Sequence, residues 1–450
     1  MSDALVIHID PVEGPLWLRR RITVDGATPG SMVTLKSATL RNGIPWSASA
    51  SYLADAEGRI DLDTQTPGFG DHRSPDAMGL IWAQQPEVDG ASFDITTMPA
   101  IGEISTTITA REESATGYYD HPQTCASGRT ASALLVQGLR EADVSREKLD
   151  AEGLHGTVFR PGGSGPYPTV VVMNGSGGGI NEIRAAAYAA HGIQAVALGY
   201  FRSEGLSPYI SNTALEYFEQ ALDYVQRNLN PLGKPALNGQ SRGGELTLLL
   251  GSLYPEKIGA LVAYTPSAFI CGAQGAADPK EGWSGATWKL DGRPLEHLWH
   301  NNAGVTWNPW DGMQPPSRDR NIYIDGLHDR ATASSSRIAI EHFTGPVLAV
   351  SGADDRLWPA GYSARLAFAT LARHGHQSQR LHLDYPYAGH AIGMPFVPST
   401  QIYKRHPVSG IDLSTGGTPQ GNAEASADSF AQTCDFLIRS LAQTDTRESK

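Results

Sequence analysis

Residues 237–246 read LNGQSRGGEL. They set Ser241 two positions from Gly239 and two from Gly243, just where a short apolar stretch gives way to a leucine-rich one. G-x-S-x-G is the pattern of a strained strand-to-helix turn that lifts a serine hydroxyl out of the chain for attack. A chain with 49 glycines makes such matches by chance, so the pattern has meaning only if the rest of the sequence supplies partners. A serine hydroxyl needs a base to take its proton, and the base needs a carboxylate to orient it. Downstream, VLAVSGADDRLWP offers Asp354 and Asp355 at the end of an apolar run, and LHLDYPYAGHAIG offers His390. Serine, acid, histidine is the order expected of an α/β hydrolase, with each residue on a loop after a strand.

Such a nucleophile also needs donors for the oxyanion it creates. One is the backbone N–H of the following residue, Arg242. The other comes from the loop after an earlier strand, here NGSGGG at 174–179. Gly177 is the favoured donor, with Ser176 and Gly178 as alternatives. This loop lacks the G-K-[ST] of a phosphate-binding loop, and Ile180 stands where a dinucleotide fingerprint needs its last glycine. His297 and His300 have an i,i+3 spacing that a metal could use, but no carboxylate cluster accompanies them. The chemistry therefore calls for no metal and no organic cofactor.

Elements must hold these groups in place. From about residue 150, TVVVMNG (169–175), IQAVALGYF (193–201), KPALNGQ (234–240), GALVAYTPS (259–267), GPVLAVSGADD (345–355) and QRLHLDYPYAGH (379–390) read as strands, several of them continuously apolar. GTVFRP (156–161) is a further strand. Runs of that kind suit a parallel sheet covered on both faces. Between them NEIRAAAYAAHG (181–192), TALEYFEQALDYVQRN (213–228) and ELTLLLGSLYP (245–255) have helical periodicity, and DSFAQTCDFLIRSLAQ (428–443) supplies a last helix. The second helix carries its apolar stripe at Leu215, Phe218, Leu222 and Val225. Strands alternating with helices predict a doubly wound, mostly parallel sheet over 141–445. The segment 268–340, rich in Gly, Trp, Asn and Asp, is expected to be an insertion over the sheet's C-terminal edge.

Residues 1–140 have a different period. VTLKSATL (33–40), WSASASYL (46–53), ASFDITTM (91–98) and EISTTITAR (103–111) alternate apolar or small with polar residues, which predicts a β-sandwich. MGLIWAQQP (78–86) is apolar for a sandwich strand. Its Trp82 predicts that part of this half packs on the other and shapes the site entrance. Arg19-Arg20-Arg21 is the densest basic spot and reads as strand rather than as a phosphate grip.

A length of 450 residues exceeds the roughly 250–300 that one core serves. The net charge of −12 argues against nucleic acid as a partner. Cys125, Cys271 and Cys434 lie far apart, giving neither a disulfide framework nor a zinc site. No stretch approaches the ~18 apolar residues of a membrane span, and the first residues lack the features of a signal peptide. The expected location is the cytoplasm and the expected partner a small molecule.

On these residues the chain resembles a known family: the acyl-CoA thioesterases and the bile acid-CoA:amino acid N-acyltransferase, which join an immunoglobulin-like β-sandwich to an α/β-hydrolase domain. DGATPGSMVTLKSATL, SYLADAEGRIDL and MGLIWAQQP look like that family's sandwich, and VSREKLDAEGLHGTVFRP like its interdomain crossing. GSGGGINEIRAAAYAAHGIQAVALGYF, GQSRGGEL, GADDRLW and AGHAIGMPF look like its oxyanion loop, nucleophile turn, acid loop and histidine loop. The resemblance implies Ser241 as nucleophile, Asp355 rather than Asp354 as acid, and His390 as base. It implies hydrolysis of an acyl-CoA thioester to free acid and CoA through an acyl-serine, without a cofactor. The alternatives are transfer of the acyl group to an amine, or a carboxylesterase, lactonase or peptidase on a substrate without CoA. In the family the amino-acid-conjugating member carries cysteine where Ser241 stands. The sequence departs from the family at Arg242, usually lysine, at the long Trp-rich stretch before the acid loop, and at Gly393-Met394.

Overall fold

The computed structural model describes residues 4–95, 98–113, 128–140, 142–282, 285–298 and 321–442. It divides the chain into two compact units. One comprises Met1–Arg140 with Met394–Gln401, and the other comprises Glu141–Gly393 with Ile402–Lys450.

The first unit is all-β apart from short turns of helix. Long antiparallel strands Met32–Arg41, Ile44–Leu53, Gly102–Glu112 and Thr130–Leu139 form most of one sheet. Val6–Asp10, Arg21–Asp25 and Ile60–Asp61 form a second. Burial alternates residue by residue along Met32–Arg41 and Ile44–Leu53, as a sheet with one face on the core requires. Two sequence expectations fail here. The described residues of 91–98 are not strand. The Phe93 N–H donates to the Gln401 side chain (2.6 Å) rather than to a ladder, and its ring packs edge-on against Trp46. MGLIWAQQP is not a strand throughout: Gly79–Trp82 is a turn of helix, and only Gln85–Pro86 pairs with a strand. Nor does Trp82 lack a place among its own neighbours. It is buried, stands edge-on to His72 at 5.8 Å, and donates from Nε1 to Asp76 at 2.7 Å.

Of the arginine run, only Arg21 begins a strand. Arg19 pairs with Asp63 and Asp76, and Arg21 with Asp61. Arg20 is buried with its guanidinium on the carbonyls of Gly14 and Pro15. Cys125 lies outside the described residues, while Cys271 and Cys434 are buried free thiols.

The second unit is an α/β hydrolase. Its sheet has eight strands: β1 (Ser145–Ala151), β2 (Leu154–Arg160), β3 (Thr169–Met173), β4 (Gln194–Gly199), β5 (Ala236–Gln240), β6 (Leu261–Tyr264), β7 (Val347–Gly352) and β8 (Arg380–Tyr385). Their spatial order is β1-β2-β4-β3-β5-β6-β7-β8. β3 to β8 run parallel, and β2 lies antiparallel to both of its neighbours. Every residue of β3, β4, β6 and β7 is buried, which is why these segments read as continuous apolar runs. Helices Glu182–Ala190, Glu216–Asn228, Arg242–Leu253 and Ala360–Arg373 make the crossovers. The first is capped by Asn181, whose side chain accepts from the Arg184 N–H. The predicted stripe Leu215, Phe218, Leu222 and Val225 is buried. The last helix is longer than expected, Pro419–Ala442.

The chain leaves β3 toward β4 on one side and later returns as β5 on the other, so β3 and β5 are neighbours with Met173 opposite Gly239. At such a reversal the loops beyond the strands' carboxyl ends part and leave a crevice suited to ligands. The loop 174–179 and Ser241 both follow directly from this pair of strands.

Candidate active site

Ser241 has φ 58° and ψ −119°, a backbone region that costs an ordinary residue about 1–3 kcal/mol. The close packing around it explains both flanking glycines. A Cβ at 239 would lie 2.0 Å from the Gly243 carbonyl oxygen, and one at 243 would lie 2.5 Å from that of Asn174. The Ser241 N–H donates to the Tyr264 carbonyl (2.9 Å), tying the turn to β6. Serine is a favoured helix cap, yet the Ser241 hydroxyl makes no capping bond to helix Arg242–Leu253. It meets His390 instead.

His390 Nε2 lies 2.8 Å from Ser241 Oγ, and His390 Nδ1 lies 2.8 Å from Asp355 Oδ2. A carboxylate only accepts, so in the neutral ring Nδ1 carries the proton and Nε2 is left to accept the serine's. The other Asp355 oxygen accepts the N–H groups of Leu357 (2.9 Å) and Trp358 (3.1 Å), which fixes the carboxylate. All three residues are at loop positions after β5, β7 and β8. Asp354 points elsewhere, to Arg356 and to the Gly417 N–H. The acid and histidine loops are stitched by 415–417: Asp355 bridges Gly416, Ala388 bridges Gly417, and the His390 N–H donates to the Thr415 carbonyl (2.7 Å).

Of the candidate oxyanion donors, Gly178 is excluded. Its N–H donates to the Gly175 carbonyl, and that of Gly179 to Phe201. Among the described residues no backbone acceptor takes the N–H of Gly177 or Arg242. The loop comes close to the serine, since a Cβ at Gly175 would sit 3.2 Å from Ser241 Cβ.

Several residues that shape this site left little trace in the sequence. Trp358 is buried edge-on to His390 at 5.7 Å and donates from Nε1 to the Thr265 carbonyl. Asn422, in the last helix, accepts the Gly389 N–H at 2.8 Å. Arg242 is buried with Glu245, an ion pair of 2.7 Å. Its guanidinium also donates to the carbonyls of Cys271 and Gly272, while Trp288 Nε1 donates to Glu245. So the described part of the Trp-rich segment meets the turn after β5, at the sheet's C-terminal edge. His297 is buried and His300 lies outside the described residues. No group of three potential metal ligands, and no helix long and apolar enough to cross a membrane, occurs among the described residues.

Comparison with known proteins identifies the family. Residues 19–122 match the model of the acyl-CoA thioester hydrolase/BAAT N-terminal region. The chain is 29% identical to acyl-coenzyme A thioesterase 1 of Homo sapiens over 425 residues, covering 94% of this chain and 93% of the human one. It is 29% identical to the mitochondrial acyl-coenzyme A thioesterase 2 of Homo sapiens, covering 94% and 81%. With the peroxisomal succinyl-coenzyme A thioesterase of Mus musculus the identity is 27%, covering 99% of both chains. Residues 213–443, slightly more than half of the chain, match the model of the BAAT/acyl-CoA thioester hydrolase C-terminal region, and the chain belongs to that family.

Proposed function

We propose that the protein hydrolyses acyl-CoA thioesters through an acyl-serine intermediate. The observation that carries this reading is the unbroken line of hydrogen bonds from Asp355 through His390 to Ser241, on a turn that holds the serine clear of its helix. His390 Nε2 takes the proton from Ser241 Oγ as the oxygen attacks the thioester carbonyl carbon. The carbonyl electrons move to oxygen, and the N–H groups of Gly177 and Arg242 receive the charge. A preorganised donor of this kind is worth about 3 kcal/mol. The intermediate collapses by breaking the C–S bond, and His390 returns the proton to the departing CoA sulfur. Water then attacks the Ser241 ester, losing its proton to His390, and the acid leaves as Ser241 regains a hydrogen. Asp355 holds the imidazole in the tautomer that permits both transfers and offsets its charge when protonated. No step calls on a metal or organic cofactor. The names of the relatives, all thioesterases, support CoA as the carrier.

A serine nucleophile also favours water over an amine. An oxyester is a less reactive acyl donor toward amines than the thioester a cysteine would form, so water at its high concentration takes the acyl group. The test is a panel of acyl-CoAs and p-nitrophenyl esters, with and without millimolar glycine or taurine. Thiol release is followed in time and products are identified by mass spectrometry. Free acid and CoA are expected, with kcat/KM higher for thioesters, and Ser241→Ala should abolish turnover. Predominant N-acyl amino acid establishes the transferase instead, and preference for the plain esters establishes a carboxylesterase.

A further inference from the structure

The loop 174–179 contains four glycines, and glycine has more backbone freedom than any other residue. That freedom conflicts with the proposed chemistry. An oxyanion donor helps only if it is already aimed before charge develops, and displacement by about 1 Å costs on the order of 100-fold in rate. Something must therefore hold the peptide that joins Ser176 to Gly177, because its N–H is the donor.

One side of that peptide is clamped by local bonds. Asn174 Nδ2 donates to the Gly178 carbonyl at 2.7 Å, the Gly178 N–H to the Gly175 carbonyl at 3.0 Å, and Arg202 Nη1 to the Gly177 carbonyl at 2.8 Å. The first and third hold the chain beyond Gly177, and the second closes a turn from Gly175 across the peptide. On the other side the anchor is Ser176, whose Oγ lies 3.0 Å from His406 Nε2. His406 comes from a segment 230 residues further along, and its neighbour Pro407 closes over Gly177, with Cγ 3.4 Å from where a Cβ would be.

The imidazole is itself held in one state. His406 is buried, and Nδ1 faces the N–H groups of Val408 and Ser409, each at 3.3 Å. Nδ1 must therefore accept, the proton sits on Nε2, and Nε2 donates to Ser176. Burial first, then the charges of Arg202 and Arg242, hold its pKa down to about 4. At neutral pH this hydrogen bond has a single direction.

We propose that His406 is a positioning residue: through Ser176 it fixes the peptide whose Gly177 N–H receives the oxyanion. The inference rests on the acyl-serine reading and assigns His406 no proton transfer.

Ser176→Ala is the cleanest test, because it removes the acceptor and leaves His406 with its other bonds. We expect kcat to fall roughly 10- to 100-fold, with KM for the acyl-CoA and the melting temperature nearly unchanged. His406→Phe should reach a similar kcat, His406→Gln, whose amide nitrogen reaches the Nε2 position, should recover most of it, and the Ser176→Ala/His406→Phe pair should be no slower than the slower single variant. The rate at which a fluorophosphonate labels Ser241 should drop in parallel, since that reaction also develops charge on oxygen. Unchanged kcat in Ser176→Ala, a loss carried mainly by KM, or losses that multiply in the pair overturn the proposal. Ser241→Ala separates the two levels. If it is inactive while Ser176→Ala is fully active, only the positioning role falls. If it retains activity, the acyl-serine reading falls, and this proposal falls with it.

Discussion

Ser241 and Ser351 each have Oγ 2.8 Å from the Nε2 of a histidine, His390 for the first and His382 for the second. Each set also contains an aspartate. The same three residue types thus occur twice, once on loops beyond the sheet and once within β7 and β8, connected in different orders. At Ser241 the aspartate binds the far nitrogen of the histidine, leaving Nε2 free to accept the serine's proton. At Ser351 the hydroxyl donates to Asp384 Oδ1 at 2.6 Å, and Arg365 holds the other carboxylate oxygen at 2.8 Å. Having given its one proton to Asp384, Ser351 can only accept from His382, so His382 Nε2 is a donor and cannot serve as a base. The backbone differs as well. Ser241 stands on a strained turn, whereas Ser351 is a regular residue of β7, paired with Asp384 of β8 and fully buried. Composition and proximity therefore do not single out the proposed nucleophile. The direction of the hydrogen bonds and the strained turn do.

The largest effects should fall on the first set. Ser241→Ala, His390→Ala and Asp355→Asn should each lower kcat by about 10⁴-fold or more, and the losses should not add because the groups act as a unit. Asp354→Asn should be mild, because the Asp354 side chain reaches Arg356 and Gly417 and not His390. A crippled Asp354→Asn beside a mild Asp355→Asn in steady-state assays would reverse the assignment of the acid.

Backbone geometry comes next. Gly239→Ala would force a Cβ to 2.0 Å from the Gly243 carbonyl oxygen and 2.7 Å from Thr247 Oγ1. The turn has to shift, at a cost of about 3 kcal/mol, and kcat should fall with it. Gly162→Ala, with nothing within 4 Å, should stay within about 0.5 kcal/mol. Denaturant unfolding of the two variants, read beside their activity, checks this. A tolerated alanine at 239 would remove the steric account of the turn.

What the sequence revealed follows the same division between local and distant causes. The turn at Ser241 and the loop 174–179 are local patterns, and the strands β3, β4 and β7 are buried throughout and mostly apolar, so their order along the chain foreshadowed the grouping of Ser241, Asp355 and His390. β1 leaves no apolar signature because SREKLDA is mostly exposed and carries its charges on an edge strand. ASFDITTM has the composition of a strand, but Phe93 is drawn to Trp46 and Arg41 and its N–H to Gln401, partners the pattern does not contain. Nothing in KRHPV marks His406, since its function depends on Ser176, which only folding brings near.

His406 gives the pair of histidines a third case, one shielded from protons. Its folded pKa of about 4 lies below the ordinary value of about 6.5. Between those values the unfolded chain binds a proton that the folded one does not, so stability from this group is present above pH ~6.5 and is lost as pH falls through ~4. The difference in unfolding free energy between the protein and His406→Phe should therefore shrink by about 3 kcal/mol as pH drops across that window. Carboxylates titrate in both proteins and largely cancel in the difference. A pH-independent difference in denaturant unfolding would mean that His406 takes up its proton in the folded state as readily as in the unfolded one.

The smallest effect should come from the second set, and it tests the comparison most directly. Ser351→Ala removes the hydroxyl between His382 and Asp384. Asp384 keeps Arg365, and His382 is only partly buried, so water can replace the lost acceptor. The cost should be about 1 kcal/mol, that of one ordinary hydrogen bond. kcat should stay within about twofold of the parent, because nothing around Ser351 resembles an oxyanion site. The residues beside it are regular members of β7, Val350 paired with both neighbouring strands and Gly352 with β8. Labelling with a fluorophosphonate gives the same answer without substrate. It should modify one serine per chain, vanish in Ser241→Ala and persist in Ser351→Ala. If labelling or turnover instead fell by orders of magnitude in Ser351→Ala while the fold stayed intact, the direction of the hydrogen bonds would not be what separates the two serines, and the buried set would have to be counted part of the active machinery.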